Sequence, residues 1–380
     1  MTQPCAVAKF AEPYSEAGFN PYQGTRLSRY DALWCLPRRD VQRLGGHPHS
    51  AETGISRMTF LCRILVTGAL LVVASAANAQ TWPTRPIKLI VSTGPGSGTD
   101  VMARLLCDRV SRLIGQQMVV ENMAGAAGMI GAQAAARSSA DGYTFYFAPS
   151  SSLTSNLFFY KSVPYDPLLD FTPVAIVADS SPFVVSVNPD LPVKNLPELI
   201  ALAKSEPGKY SYAVDMSSGY QVAFGQLLRK RAAIDIIQVP YKSAPMMLQD
   251  TAAGVTPLVL ASLGAVTGLA KGGKLRMLAI ASERRFPAQP DLPTVSETIP
   301  GFRVDGWFVL VAPTGVPAVI VQTMNEAVNQ FLKDPEISTR LQGMGLATSG
   351  AGTPESTGNF IRAELARWRD IAKELDIQPQ

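Results

Sequence analysis

The chain has 380 residues, of which 47% are apolar and 17% charged, with a formal net charge of +4. That is enough for two domains with a sizeable core, and too apolar and too weakly charged for a disordered protein. Its 29 prolines and 30 glycines fall short of a low-complexity composition.

In chain order, the first clear signal is residues 58–79, MTFLCRILVTGALLVVASAANA. Arg63 supplies a positive start, Ile64 to Ala74 an apolar run, and Ala77-Asn78-Ala79 a small-residue cleavage site. The pattern predicts a signal peptide cut between Ala79 and Gln80, and hence a periplasmic protein. The run is shorter than the ~20 residues of a spanning helix. Signal peptides begin at the initiator Met, so Met58 is expected to be the start. Residues 1–57 then read as a non-native extension, the rival reading being a disordered cytoplasmic one. N-terminal sequencing of the precursor separates the two.

Trimming changes the composition. Eight of the 34 basic and five of the 30 acidic side chains precede residue 80, so the remainder is balanced to within one charge. Both histidines, His47 and His49, and three of the four cysteines, Cys5, Cys35 and Cys62, also lie there. The expected mature chain has no basic footprint for nucleic acid or a membrane surface. Its lone Cys107 cannot form an internal disulfide.

From Pro86 onwards strands and helices alternate. Ile87–Val91 reads as a strand, followed by the glycine-rich turn Thr93 to Asp100 and a helix carrying Val101, Leu105, Leu106, Val110, Leu113 and Ile114. Met118–Val120 is a second strand. The turn Gly125–Gly128 leads into a helix from Met129 to Arg137, and Tyr143–Phe147 is a third strand ending in Pro149-Ser150-Ser151-Ser152. This βαβαβ order predicts a parallel sheet with helices on its faces. Further strands are expected at Phe183–Val187, Tyr210–Val214, Ile236–Val239, Thr256–Leu260, Leu275–Ala281 and Trp307–Ala312. Helices are expected at Leu196–Ser205, Val222–Arg231, Ala244–Ala253 and Gly264–Lys271. A terminal pair, Ala318–Lys333 and Thr353–Glu374, closes the chain, with Asp334-Pro335 ending or interrupting its first member. Two βα series suit a chain that crosses between two lobes, near Ser180 to Pro182 and Pro300 to Asp305.

The strongest local signal is Gly94-Pro95-Gly96-Ser97-Gly98-Thr99-Asp100 between a strand and a helix. Thr99 or Asp100 is a good N-cap, and the glycines expose backbone amides at the positive end of a helix. That arrangement suits a carboxylate or phosphate; the plainer reading is a tight capped turn. The dinucleotide fingerprint fails because Thr99 stands where its third glycine belongs. Gly268 to Lys274 mimics a phosphate loop, but Leu275 replaces the magnesium-binding hydroxyl and the segment precedes a strand. Gly272-Gly273 reads instead as a helix stop.

Three other segments follow strand ends, where open α/β sheets place ligands. They are Ser150-Ser151-Ser152, Ser217 to Gln221, and Tyr241-Lys242-Ser243-Ala244. Each reads equally as a cap and turn cluster. Catalysis is poorly supported, since there is no G-x-S-x-G elbow and no histidine after residue 79. A histidine or thiolate metal site is excluded on the same residues, and no dense acidic cluster suggests a hard-cation site.

Taken in order, several segments resemble the Bug-type receptors, extracytoplasmic solute-binding proteins of tripartite tricarboxylate transporters. They include Trp82-Pro83 with Pro86 to Val91, Gly96 to Asp100, Val119 to Asn122, Gly125 to Gly131 and Ala140 to Thr144. The likeness continues through Asp170 to Val174, Leu196 to Leu199, Val239 to Lys242, Asp291 to Val295, and Trp307 with Ala312-Pro313. It covers essentially all of 82–375.

The resemblance implies a two-lobed type II periplasmic binding protein fold, each lobe a mainly parallel sheet flanked by helices. Residues 80–182 with 304–380 would form one lobe and 183–303 the other, closing on a ligand at a hinge. It further implies a ligand site of Ser97, Gly98 and Thr99, Ser150, Ser151 and Ser152, Gly219, Tyr220 and Gln221, with Tyr241, Lys242, Ser243 and Ala244. The chain departs from the family pattern around that site. Ser92-Thr93-Gly94 stand where an apolar or aromatic residue and Pro are usual. Val222 stands where a histidine is usual, Ser243 where a glycine is, and Pro257 where an aspartate is. An unusual ligand is therefore plausible.

The expected function is non-covalent capture of a small carboxylate, or a related polar or aromatic solute, for delivery to a membrane transporter. No cofactor, metal, catalytic residue or nucleic-acid partner is expected, and the mature form is expected to be a monomer. The alternatives are a receptor that signals without transport and an exported enzyme on the same fold.

Overall fold

A computed structural model of the chain describes residues 82–216 and 219–379. The expected signal peptide, the 1–57 extension, Ser217 and Ser218 lie outside the described residues.

The first strand, β1 (Ile87–Val91), pairs in parallel with β2 (Met118–Asn122) and β3 (Thr144–Pro149). Its side chains alternate across the sheet. Ile87, Leu89 and Val91 join a core with Met102, Leu106 and Val110 of helix α1 (Gly98–Ile114). Ile90 joins the opposite core, with Met129 and Ala132 of α2 (Met129–Ala136). Lys88 points to solvent and pairs with Glu121 of β2 at 2.6 Å. Ser97 caps the start of α1, and Gly115, with a left-handed φ of 70°, ends it. Two short helices follow β3: α3 (Ser150–Leu153) and α4 (Asn156–Phe159).

The next strand joins the two halves of the sheet. β4 (Phe171–Val187) runs 17 residues. From Phe171 to Pro182 it pairs antiparallel with β9 (Asp305–Pro313), with three register shifts. From Phe183 to Val187 it pairs with β7 (Leu258–Ser262), and from Val184 with β8 (Arg276–Ile280). Pro182, which has no N–H to give to a ladder, sits where one set of partners gives way to the other. β5 (Ser211–Asp215) lies parallel between β7 and β6 (Ile237–Tyr241). The order is β2-β1-β3-β9-β4-β7-β5-β6, with β8 attached to β4.

Four helices complete the second half: α5 (Leu196–Ser205), α6 (Gly219–Ala232), α7 (Ala244–Ala252) and α8 (Leu263–Lys271). α9 (Ala318–Leu332) returns to the first, where Met324 and Val328 share a core with Ile87 and Leu89 of β1. Val185, Tyr212 and Val214 face Phe224 and Leu227 of α6, whereas Val184, Ala213 and Val259 face Met247 of α7 and Val266 of α8. The chain closes on α10 (Pro335–Gly343) and α11 (Pro354–Glu374). α11 serves both halves: Ile361 packs in the first and Trp368 with Ile371 in the second.

The expected α/β alternation and two-lobed mainly parallel architecture are present. Three local expectations need correction. The N-cap of α1 is Ser97 and not Thr99 or Asp100, because the helix begins at Gly98 and takes both of those residues into its first turn. The strand expected at 183–187 begins at Phe171, because pairing with β9 holds Thr172, Pro173 and Ala175 extended. The terminal helical pair is three helices. Pro335 starts a new helix, its missing N–H harmless in a first turn, and the Asp334 side chain accepts from the Glu336 N–H.

Candidate functional site

The loops after β1, β2 and β3 leave the same end of three parallel strands, and side-chain hydroxyls bind them together. The Tyr146 hydroxyl lies 3.0 Å from Ser92 Oγ and 2.8 Å from Ser152 Oγ. All three groups are buried, and burial pushes the Tyr146 phenol up to about 12. Gly128 closes over them. A Cβ on it would lie 3.1 Å from Ser92 Oγ and 3.3 Å from Ser152 Oγ, on a backbone already at φ 86°. Before it, Ala126 and Ala127 take left-handed φ values of 46° and 51°, a conformation costing an L-residue roughly 1–2 kcal/mol. The turn is held from outside, since Asn156 Nδ2 donates to the Ala127 carbonyl at 3.0 Å.

The loop containing Ser97, Gly98 and Thr99 is organised by a buried carboxylate. Asp100 accepts from the Gly96 N–H at 2.9 Å, Arg104 Nε at 3.0 Å and Asn122 Nδ2 at 2.8 Å. Ser97 Oγ caps the Asp100 N–H at 3.2 Å and lies 2.8 Å from Thr93 Oγ1. The N–H groups of Gly98 and Thr99 fall in the first turn of α1, outside the helix ladder, and Gly98 is exposed. The Arg104 hydrogen bond, with help from Gly96 and Asn122, holds the Asp100 carboxyl down at about 2.

That depression has a sign. A carboxyl lowered in the folded state stabilises it above the usual carboxylate range, and the gain is lost as pH falls toward 2. Asp100→Asn is therefore expected to cost about 1.5–3 kcal/mol at neutral pH, the range for hydrogen bonds to a charged group. Urea unfolding of the two proteins should show a constant gap from pH 5 to 7 that closes between pH 4 and 2. Parallel acid curves would contradict this account.

In the second half, Gly219, Tyr220 and Gln221 open α6. Tyr220 is buried against Trp368, with ring centroids 4.2 Å apart, and against Phe183. Its hydroxyl lies 3.0 Å from Thr154 Oγ1, which in turn donates to the Ser150 carbonyl at 2.6 Å. The start of α6 is thus tied to the serine loop after β3. Gln221 Oε1 accepts from the Asp215 N–H at 2.9 Å. Gly219 approaches the Phe159 ring closely and, with Phe159, Tyr160 and Met216, lines a cavity of about 270 Å³.

The remaining segment stays within its own half. The Tyr241 hydroxyl donates to Asp250 Oδ2 at 2.8 Å, and the Tyr241 carbonyl accepts from the Met216 N–H. Lys242 is exposed. Ser243 occupies the N-cap of α7 without a side-chain cap bond, and Ala244 begins the helix. The structure therefore links Ser150 to Tyr220 through Thr154, and Ser152 to Ser92 through Tyr146, whereas Ser97 to Thr99 and Tyr241 to Ala244 make their bonds locally. Ser92, Tyr146, Thr154 and Asn156 were not among the expected residues. Their signal was weak, a lone hydroxyl or amide whose partner lies up to 66 residues away.

A model of the tripartite tricarboxylate transporter family receptor matches residues 102–377. The chain is 36% identical over 304 residues to the protein BugT of Bordetella pertussis, covering 80% of this chain and 93% of that one. Among solved structures it is similar to R. palustris Rpa4515 with adipate. The TM-score is 0.71 and the identity 35%, covering 79% of this chain and all of that one. It is also similar to MatC from Rhodopseudomonas palustris with bound malate. That match has a TM-score of 0.65 at 28% identity, over 76% of this chain and 99% of that one.

Proposed function

The chain belongs to the tripartite tricarboxylate transporter receptor family, and from that premise we propose that it captures a small carboxylate by hinge closure and delivers it to a transporter of that type. Members of the family are periplasmic solute-binding receptors and not enzymes. Among the described residues no helix is long and apolar enough to cross a membrane. Export through the 58–79 signal, with cleavage after Ala79, is part of the proposal.

One observation supports this reading above the others. Hydroxyl-bearing loops at the strand ends of one half are tied to the first turn of α6 in the other, through Tyr220 and Thr154. A solute at the same strand ends would touch both halves. In the proposed division, 80–182 with 304–380 and 183–303 are the two lobes, and β4 and β9 are the hinge. The Gly98 and Thr99 amides, the Ser97, Thr99 and Ser150–Ser152 hydroxyls, Gly219 to Gln221 and Tyr241 to Ala244 would line the site. Helix amides and hydroxyls orient an anion without a cofactor. The relatives holding adipate and malate supply the ligand class.

The test is a thermal-shift screen of the purified periplasmic form against short carboxylates, adipate and malate included. Binding stabilises by mass action, about 2.7 kcal/mol at a hundredfold excess over Kd. Replacing Ser97 and Thr99 with leucine is expected to abolish the shift; loss of the Ser97 cap also lowers the ligand-free stability by about 1 kcal/mol, so the shift is read against the variant's own ligand-free curve. An undiminished shift in that variant would remove the first loop from the site.

A further inference from the structure

Tyr220 has its ring in one half of the molecule and its hydroxyl in the other. The ring sits in the second core with Phe224 and Leu227. It packs on Trp368 of α11 at a centroid distance of 4.2 Å and on Phe183 of β4 at 6.3 Å. Trp368 Nε1 is buried without a hydrogen-bond partner, so apolar packing holds that stack. The Tyr220 hydroxyl leaves the stack and lies 3.0 Å from Thr154 Oγ1, in the segment between α3 and α4 of the first half. Tyr220 is 3% exposed and Thr154 is fully buried.

Counting protons gives this bond a direction. Thr154 has one hydroxyl proton, and it goes to the Ser150 carbonyl at 2.6 Å. Thr154 Oγ1 is therefore the acceptor and Tyr220 the donor. The relay runs from Tyr220 through Thr154 to Ser150, the first residue of the serine loop. Beside it, Gly219 also abuts the first half, since a Cβ there would lie 3.1 Å from Phe159 Cδ2 of α4. The first two residues of α6 thus meet the first half at two points, one apolar and one polar. The apolar contact is non-directional, whereas the hydrogen bond fixes distance and angle.

We propose that the Tyr220–Thr154 hydrogen bond is a ruler for solute length: it sets how far the start of α6 stands from the Ser150–Ser152 loop, and so which carboxylate fits between them. Within the Gly219 to Gln221 segment, Tyr220 then acts as a positioning residue, its ring buried on Trp368 and its hydroxyl engaged with Thr154. The ruler rests on the proposed receptor function, and it makes the solute a carboxylate selected by its end-to-end length.

Calorimetric titration of the purified protein with succinate, glutarate, adipate and pimelate tests this. These dicarboxylates differ only in the number of methylenes between their ends. The wild type is expected to prefer one length over its neighbours, a single methylene in a fitted site being worth about tenfold or more. Tyr220→Phe keeps the ring and removes only the donor. It is expected to reduce that preference by about three- to tenfold, the range for one hydrogen bond. Thr154→Val, which removes the acceptor, is expected to do the same, and the double variant to go no further than either single one. Thr154→Ser keeps the hydroxyl and is expected to retain the wild-type preference. A merely structural role would weaken all four acids alike; unchanged ratios in Tyr220→Phe would therefore overturn the ruler. If Tyr220→Phe does not fold, Thr154→Val against Thr154→Ser decides the matter. Equal binding of all four acids by the wild type would overturn the ruler and leave the receptor function standing. A wild type that binds none of them would overturn dicarboxylate capture and the ruler with it.

Discussion

Gly345→Ala is expected to lower the stability of the protein by about 3–4 kcal/mol, from clash and backbone strain acting together. Gly345 has φ 75°, and a Cβ built on it would lie 2.4 Å from the Gly264 nitrogen in the first turn of α8. Gly264 meets the same segment from the other side, its own Cβ direction ending 2.3 Å from the Met344 carbonyl oxygen. Both obstacles are backbone, so no side-chain rotation relieves them. Gly264→Ala carries the clash without the left-handed strain and should cost about 1–3 kcal/mol. Gly268, on the same helix, has open space around it. There Ala should stabilise by about 0.5–1 kcal/mol, because glycine gives up more freedom on entering a helix. Differential scanning calorimetry of the three variants reads the order directly. The Gly345 variant should melt roughly 6–12 °C below the wild type. Wild-type melting of Gly345→Ala would show that α8 and the 344–345 turn do not pack as described.

The second large effect belongs to Glu364. This carboxylate is 4% exposed and accepts from Trp307 Nε1 at 3.0 Å and from Arg367 through Nη2 at 2.6 Å and Nε at 3.2 Å. Arg303 stands 3.3 Å away. A buried ion pair adds little net stability as a pair, but removing one member leaves the other charge buried and uncompensated. Glu364→Ala is expected to cost about 3–5 kcal/mol by that route, with the Trp307 indole N–H losing its acceptor as well. Glu364→Gln retains an acceptor for Trp307 and isolates the charge contribution. Chemical denaturation gives both values. A loss below about 1 kcal/mol for the alanine variant would mean that water or another group replaces the carboxylate.

These two clusters show where reading the chain alone stops. Gly264 and Gly345 are 81 positions apart in the numbering and look like ordinary helix and turn glycines. Glu364 sits in a helix rich in Glu and Arg, where Arg367 three residues on is a sufficient local partner for its charge. Only its contact with Trp307, 57 residues away, reveals a buried role. The candidate site divides in the same way. That the Gly-Ser-Gly-Thr-Asp segment caps a helix is legible from its residue types, but the cap falls on Ser97 and not on the expected Thr99 or Asp100, because the helix starts at Gly98. The cluster of Ser92, Tyr146 and Ser152 is not, since it depends on which strands lie side by side. Tyr220 is a sharper case. The sequence marks it as a strand-end residue, and the structure turns it inward onto Trp368 and Thr154.

The local periodicities determined most of the elements. The apolar run of β1, the glycine-rich turn before α1, the Gly273 stop after α8 and the βα order each depend on residues a turn or two apart. Distribution along the chain also set chemical limits, since no histidine follows residue 79 and Cys107 is the only cysteine after it. The tertiary structure decided three things: that β4 crosses between the two halves, that α11 packs on both, and that Asp305 and Glu364 are buried. The two burials rest on hydrogen bonds across 125 and 57 residues, and the β4–β9 ladder joins residues still further apart, as at Phe171 and Pro313. Such pairings are governed by the packing of completed elements, and no short-range pattern in the chain carries them.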